Sequence, residues 1–95
     1  MHAVMGLWTM DPATQDRQER ELRERIVPSV ANARGFVRGT WAQEVDGHRS
    51  VSFIAFVDES AARDFINTVR ANAGRQTAAG VTNDELLLVE VVAET

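Results

Sequence analysis

The chain has 95 residues, enough for a single domain spanning 1–95, and a chain this short buries only ~60–65% of its unfolded surface, so a partner surface would help it. It has no cysteine, which excludes disulfides and thiolate metal sites, and its net charge of −4 argues against nucleic acid or an anionic membrane as partner. No apolar run approaches the ~20 residues that span a bilayer, and Met1 to Met5 carry no basic stretch, so no signal peptide is expected and the cytoplasm is the default location.

Ala3 to Met10 is apolar on both alternating faces, which reads as a strand covered on both sides. Asp11-Pro12 then starts a helix, because Asp caps free N–H groups and Pro suits the first helical turn. Asp16–Arg20, Glu19–Arg23 and Glu21–Arg25 stand four apart with the acid first, the spacing of a solvated helix face. The apolar stripe of this helix is Leu22, Ile26, Val30 and Ala33. Carried backward at the helical period, it meets Gln18 and Gln15 rather than leucines. The first two turns therefore either overshoot the sheet or roof an open cleft.

Pro28 lacks an N–H and disfavours helix at Val27, so the helix is expected to bend or stop there. Gly35 suits a left-handed helix end. Phe36 to Val45 reads as the second strand, with Val37, Gly39 and Trp41 on one face and Phe36, Arg38 and Thr40 on the other. Asp46-Gly47 marks a hairpin turn, and Arg49 to Val57 is the third strand. Asp58-Glu59-Ser60 opens a second helix whose stripe is Ala62, Phe65, Ile66, Val69 and Ala73, with Gly74 as its expected stop. A polar connection over 75–83 leads to a last strand, Glu85 to Ala93, again apolar on both faces.

The order strand, helix, strand, strand, helix, strand predicts an α+β fold, a ferredoxin-like βαββαβ with a four-stranded antiparallel sheet and both helices on one face. Three strands apolar on both faces then need a cover on the open side, and a second copy of the sheet is the simplest one; a homodimer is the expected partner arrangement. Phe53 and Phe65 are expected in the core.

This element order, together with the corner Pro28…Gly35-Phe36-Val37-Arg38-Gly39-Thr40-Trp41, resembles the dimeric α+β barrel superfamily, and most closely its antibiotic-biosynthesis monooxygenase-like branch. The acidic, alanine-rich start Asp58-Glu59-Ser60-Ala61-Ala62 fits the same resemblance. The resemblance implies two sheets packed as a barrel, with a small-molecule cleft between each sheet and its own helices. It also implies several possible activities, because one fold hosts many functions. Haem-degrading members use a His on the second helix, and none stands between Asp58 and Gly74. His2 and His48 have no metal or triad partner at motif spacing. Cofactor-independent monooxygenases of this kind hold an electron-rich aromatic substrate and need no cofactor.

Trp41 and Trp8 are candidates for the walls of such a pocket, or are simply core residues. Arg38 is a candidate for stabilising an enolate, or an ion-pair partner of Glu44 or Glu90. Gln18, Leu22 and Arg25 would lie above Trp41. Three functions stay open: an oxygenase for a small aromatic, polyketide or quinol-type substrate; a non-catalytic ligand-binding or stress-related protein; and an isomerase or dehydratase using the same cleft.

Overall fold

The computed structural model describes all 95 residues. Strand β1 (His2–Met10) is followed by a 3-10 turn (Pro12–Thr14), helix α1 (Gln15–Glu21), a π-helical segment (Leu22–Ile26) and helix α2 (Val27–Ala31). Strands β2 (Phe36–Gln43) and β3 (Arg49–Phe56) form the hairpin. Helix α3 (Glu59–Ala71), a short helix α4 (Ala73–Ala78) and strand β4 (Val81–Glu90) complete the chain. All pairs are antiparallel and the order across the sheet is β2-β3-β1-β4, the ferredoxin-like arrangement. The expected caps are present. Asp11 accepts from the Ala13 N–H, Asp58 accepts from the Ala61 N–H, and Gly35 sits at a φ of 75°.

Pro28 neither stops nor sharply ends the first helix. In the π-helical segment just before it the Val27 N–H donates to the Leu22 carbonyl, a bond five residues back, and the chain runs on into α2 with Pro28 in its first turn. Gly74 likewise is not the stop. Helix α3 closes at Asn72 and the chain re-enters a helical turn through Gly74. The last strand starts at Val81 rather than Glu85 because Gly80, at a φ of 86°, turns the chain directly beside β1. Thr82 and Asn83 then pair with Thr9 and Trp8, so the strand opens with polar residues that periodicity alone assigns to a loop.

Two bulges reset the faces. One between Phe36 and Arg38 turns Phe36 onto the helix side, opposite Phe56, instead of the side Arg38 shares with Thr40. The helix side of the sheet thus carries Val4, Gly6 and Trp8 from β1, Gly39 and Trp41 from β2, Ser52, Ile54 and Phe56 from β3, and Leu86 and Leu88 from β4. Val4, Ile54 and Phe56 form the core with Val30, Ala61, Ala62 and Ile66. Phe65 packs on it, its ring 5.2 Å from that of Phe56.

Phe53 is not in this core. Its register with Met5 and Thr40 puts it on the face away from the helices, where it is 37% exposed beside Val51 and Leu87. Ala3 and Ala55 share that face yet are fully buried. The cause is the C-terminal segment. Glu94 follows β4 at one sheet edge and forms an ion pair with Arg38 on β2 at the other, so the intervening residues cross the row of Ala3 and Ala55.

Candidate functional site

The helix-facing layer contains the same local arrangement twice: Gly6-Leu7-Trp8 on β1 and Gly39-Thr40-Trp41 on β2. Residues two apart on a strand share a face, so each indole can fold back over its glycine. Both do. A Cβ on Gly6 would stand 2.6 Å from Trp8 Nε1, and one on Gly39 would stand 2.8 Å from Trp41 Cη2. The space that a missing side chain at Gly39 would leave is therefore taken by the ring of Trp41 itself.

Ser52 lies between the two indoles, paired in register with Gly6 on one side and Trp41 on the other. It is only 7% exposed. The Trp8 indole N–H donates to Ser52 Oγ at 3.1 Å. That bond uses a lone pair of the hydroxyl and leaves its proton free to donate. Both tryptophans are half-buried, so their rings border the core and also meet solvent. Asn83, opposite Trp8 across the second bulge, donates from Nδ2 to the carbonyls of Leu7 and Glu85 and pins the strand on that side.

Above this layer, α2 packs on β2, while α1 is tied down by the side chains of Gln15 at its start and Gln18 at its middle. Gln18, 7% exposed, donates its amide to the Ala79 carbonyl in the loop before β4. Gln15 Oε1 lies 3.4 Å from His48 Nδ1 at the β2–β3 turn. The glutamines that stand where leucines would complete the apolar stripe are polar tethers to two loops. Leu22, in the π-helical segment, is half-buried and stands outside the core cluster. A crevice of about 260 Å³ on the outer side of the same helix is lined only by Asp16, Glu19, Arg20, Arg23 and Glu24, the gaps between solvated charged side chains.

The structure thus brings together Trp8 and Trp41, with Ser52 between them. Arg38 stands on the opposite face of the sheet, engaged by Glu94, and not beside either indole. Arg25 is exposed and paired with Glu21 on its own helix. Ser52, absent from the residues singled out in the sequence, is the polar centre of the arrangement; the repeated Gly-x-Trp marks only the two indoles. His2 does have a carboxylate neighbour. Its Nε2 is 3.7 Å from Glu59 while its Nδ1 is buried without a partner. Glu59 is held below the usual carboxylate range, first by its hydrogen bond from Arg63 and then by that residue's charge. This group lies at the far end of the sheet from the indoles, in the row of Phe56 and Glu90.

No family model matches the chain, and no curated protein matches it in sequence. Solved structures do match over nearly its full length. A protein of Deinococcus radiodurans described as a candidate antibiotic biosynthesis monooxygenase superposes with a TM-score of 0.81 at 10% identity, covering 100% of this chain and 96% of that one. A haem degrader of Mycobacterium tuberculosis, solved with two haems in its active site, gives 0.77 at 20% identity, covering 100% and 99%. A cofactor-independent oxygenase of Streptomyces nogalater gives 0.74 at 21% identity, covering 98% and 94%. The chain has the ferredoxin-like α+β fold of these solved structures, among them a protein described as a candidate antibiotic biosynthesis monooxygenase and a cofactor-independent oxygenase.

Proposed function

We propose that the chain is a cofactor-independent monooxygenase for a flat, oxygenated aromatic substrate of the polyketide, anthrone or quinol type, bound between the sheet and the first helix in the cytoplasm. The observation that carries this reading is the buried Ser52 hydroxyl, which accepts the Trp8 indole N–H and keeps its own proton, between two half-buried indoles. A ring of the substrate stacks on Trp41 or Trp8, and its carbonyl or phenol oxygen accepts from Ser52. As the substrate loses a proton, charge builds on that oxygen, and a donor already polarised by Trp8 stabilises it. Gln18 and Leu22, on the first helix, would bound the ligand on the side away from the sheet. Arg25, exposed and paired with Glu21, and Arg38, on the opposite face and paired with Glu94, take no part in it.

For an anthrone the balance closes with no added reductant. The ring methylene becomes a carbonyl, one oxygen atom of O2 enters the product and the other leaves as water, and the four electrons come from the carbon whose two C–H bonds break. The fold neighbour named as a cofactor-independent oxygenase supports the same chemistry. Oxygen uptake with an anthrone, measured with and without the protein, tests it: a rate well above the uncatalysed one is expected, and Ser52→Ala should lower kcat more than it weakens binding. Equal rates with and without protein would reject the enzyme.

A second reading, a ligand-binding module without turnover, is favoured by one observation. None of Gly6, Trp8, Gln18, Gly39, Trp41 and Ser52 is an acid or a base at neutral pH. Tight binding of the anthrone without oxygen uptake would select it.

The working form we propose is a homodimer built on the open sheet face. Val51, Phe53 and Leu87 are each 37–39% exposed there, an apolar surface suited to a second copy. Such an interface should bury well over ~1,000 Å². Light scattering should give twice the chain mass at micromolar concentration; a monomer would exclude this assembly.

A further inference from the structure

Away from the indoles, a groove of about 210 Å³ runs between α3 and β4, lined by Arg63, Ile66, Asn67, Arg70, Leu86 and Leu88. We propose that it binds a small apolar carboxylate, an alkyl or aryl acid with one charged end. The four helix residues are three and four apart and so share one face of α3, while Leu86 and Leu88 alternate onto the same side of β4. The floor is apolar: Ile66 is 7% exposed, and both leucines pack on the core.

The rim is cationic and polar. Arg63 is already held by Glu59, at 2.8 Å. Arg70 takes part in no ion pair, and the Asn67 side chain has no hydrogen-bond partner. These two stand three apart on one helix face and both line the groove, so a guanidinium and an amide N–H are within reach of one ligand lying over the leucines. A planar carboxylate accepts both, and the guanidinium bond is of the strong charge-assisted kind.

Charge selects the sign of the ligand. The whole chain carries −4, yet this groove is lined by two cations and no acid. Volume selects its size, since the space equals about seven waters at ~30 Å³ each, room for a short alkyl chain or a single aromatic ring. β4 is the edge of the sheet, so the groove opens sideways to solvent and a longer tail can leave it. The groove shares no residue with the Trp8–Ser52–Trp41 layer, and the proposal does not depend on catalysis there.

Titrating the isotope-labelled chain with octanoate, octan-1-ol and octylammonium and following its amide resonances by NMR tests this. Octanoate should move the amides of Arg63 to Arg70 and Leu86 to Leu88 in a saturable way. The alcohol should bind about tenfold more weakly, the amine not measurably, and Arg70→Gln should weaken octanoate by about tenfold, as loss of one charge-assisted bond predicts. Arg70→Lys should restore part of the affinity, which separates recognition of charge from damage to the helix. Equal shifts with octanoate and octylammonium, or an unchanged affinity in Arg70→Gln, would overturn the proposal. So would shifts centred on Trp8 and Trp41, which would place the acid in the other cleft.

Discussion

The helix-facing surface of one four-stranded sheet behaves as two different materials. Toward the row of Phe56, the floor is Val4, Ile54 and Phe56, and α3 and α2 close it with Ala61, Ala62, Ile66 and Val30. Toward the row of Trp8, the floor is Gly6, Trp8, Ser52 and Trp41, whose ring reaches back over Gly39 to the core, and α1 is tied across by glutamines to loops. The first half has dense packing and apolar contact, which stabilises. The second half spends its surface on polar bonds and on rings that are only half covered. The contrast teaches where function can reside: the half whose side chains are not all consumed by packing keeps a hydroxyl proton and two ring faces available.

The largest expected effect tests the packed half. Phe56 is fully buried, so Phe56→Ala should cost about 3–5 kcal/mol in urea unfolding. A loss under ~1 kcal/mol would erase the distinction between the halves. In the indole half, Gly6→Ala puts a methyl within 2.6 Å of Trp8 Nε1 and 2.7 Å of Ser52 Oγ. It should cost about 1–3 kcal/mol through overpacking and shift the tryptophan emission as the indole is displaced. An unshifted spectrum would mean that the ring does not lie over Gly6.

Gln18→Leu sharpens the account of the tethers. Leucine would complete the apolar stripe, yet it removes the donor to the Ala79 carbonyl. We expect a net loss of about 1–2 kcal/mol, since an orphaned acceptor outweighs one added apolar contact at this position. A gain in stability would show that the half-open layer is merely underpacked.

The smallest effect concerns Glu59, at the end of the sheet away from the indoles. Its carboxylate titrates below the ordinary glutamate range, so its contribution is fully present above that range and is lost as pH falls through the depressed value. The difference in melting temperature between wild type and Glu59→Gln should shrink on acidification below the ordinary range and stay flat above it. A difference that grows with acid would reverse the sign of the coupling.

The fold was legible because its signals are local and strong. Asp11-Pro12, Asp58 and Gly35 each do in the structure what their chemistry requires, and the three-four stripe of α3 found Ala62, Phe65 and Ile66; Asp46-Gly47 lies in the expected hairpin connection, but in a longer loop without the positive φ of a tight two-residue turn. What periodicity missed was set by contacts between elements. The bulge at Val37 moved Phe36 to the other face, and the polar start of β4 is a strand only because β1 lies beside it. The indoles were visible as bulky residues. The role of Ser52 was not, because one serine in an apolar strand looks the same whether it meets Trp8 or solvent. Phe53 was misassigned because alternation reports which residues share a face, not which face the helices cover.

The chain has two tryptophans and no tyrosine, and both tryptophans flank Ser52, so all of its strong ultraviolet emission comes from the candidate site. The most direct test is therefore an anaerobic fluorescence titration with an anthrone and with its analogue lacking the carbonyl oxygen, in wild type and in Ser52→Ala. Saturable quenching by the anthrone is expected in wild type, with about tenfold weaker binding of the analogue and loss of that preference in Ser52→Ala, the consequence of removing one buried hydrogen bond. Absence of quenching at high micromolar anthrone, or an identical preference in the variant, would contradict this site.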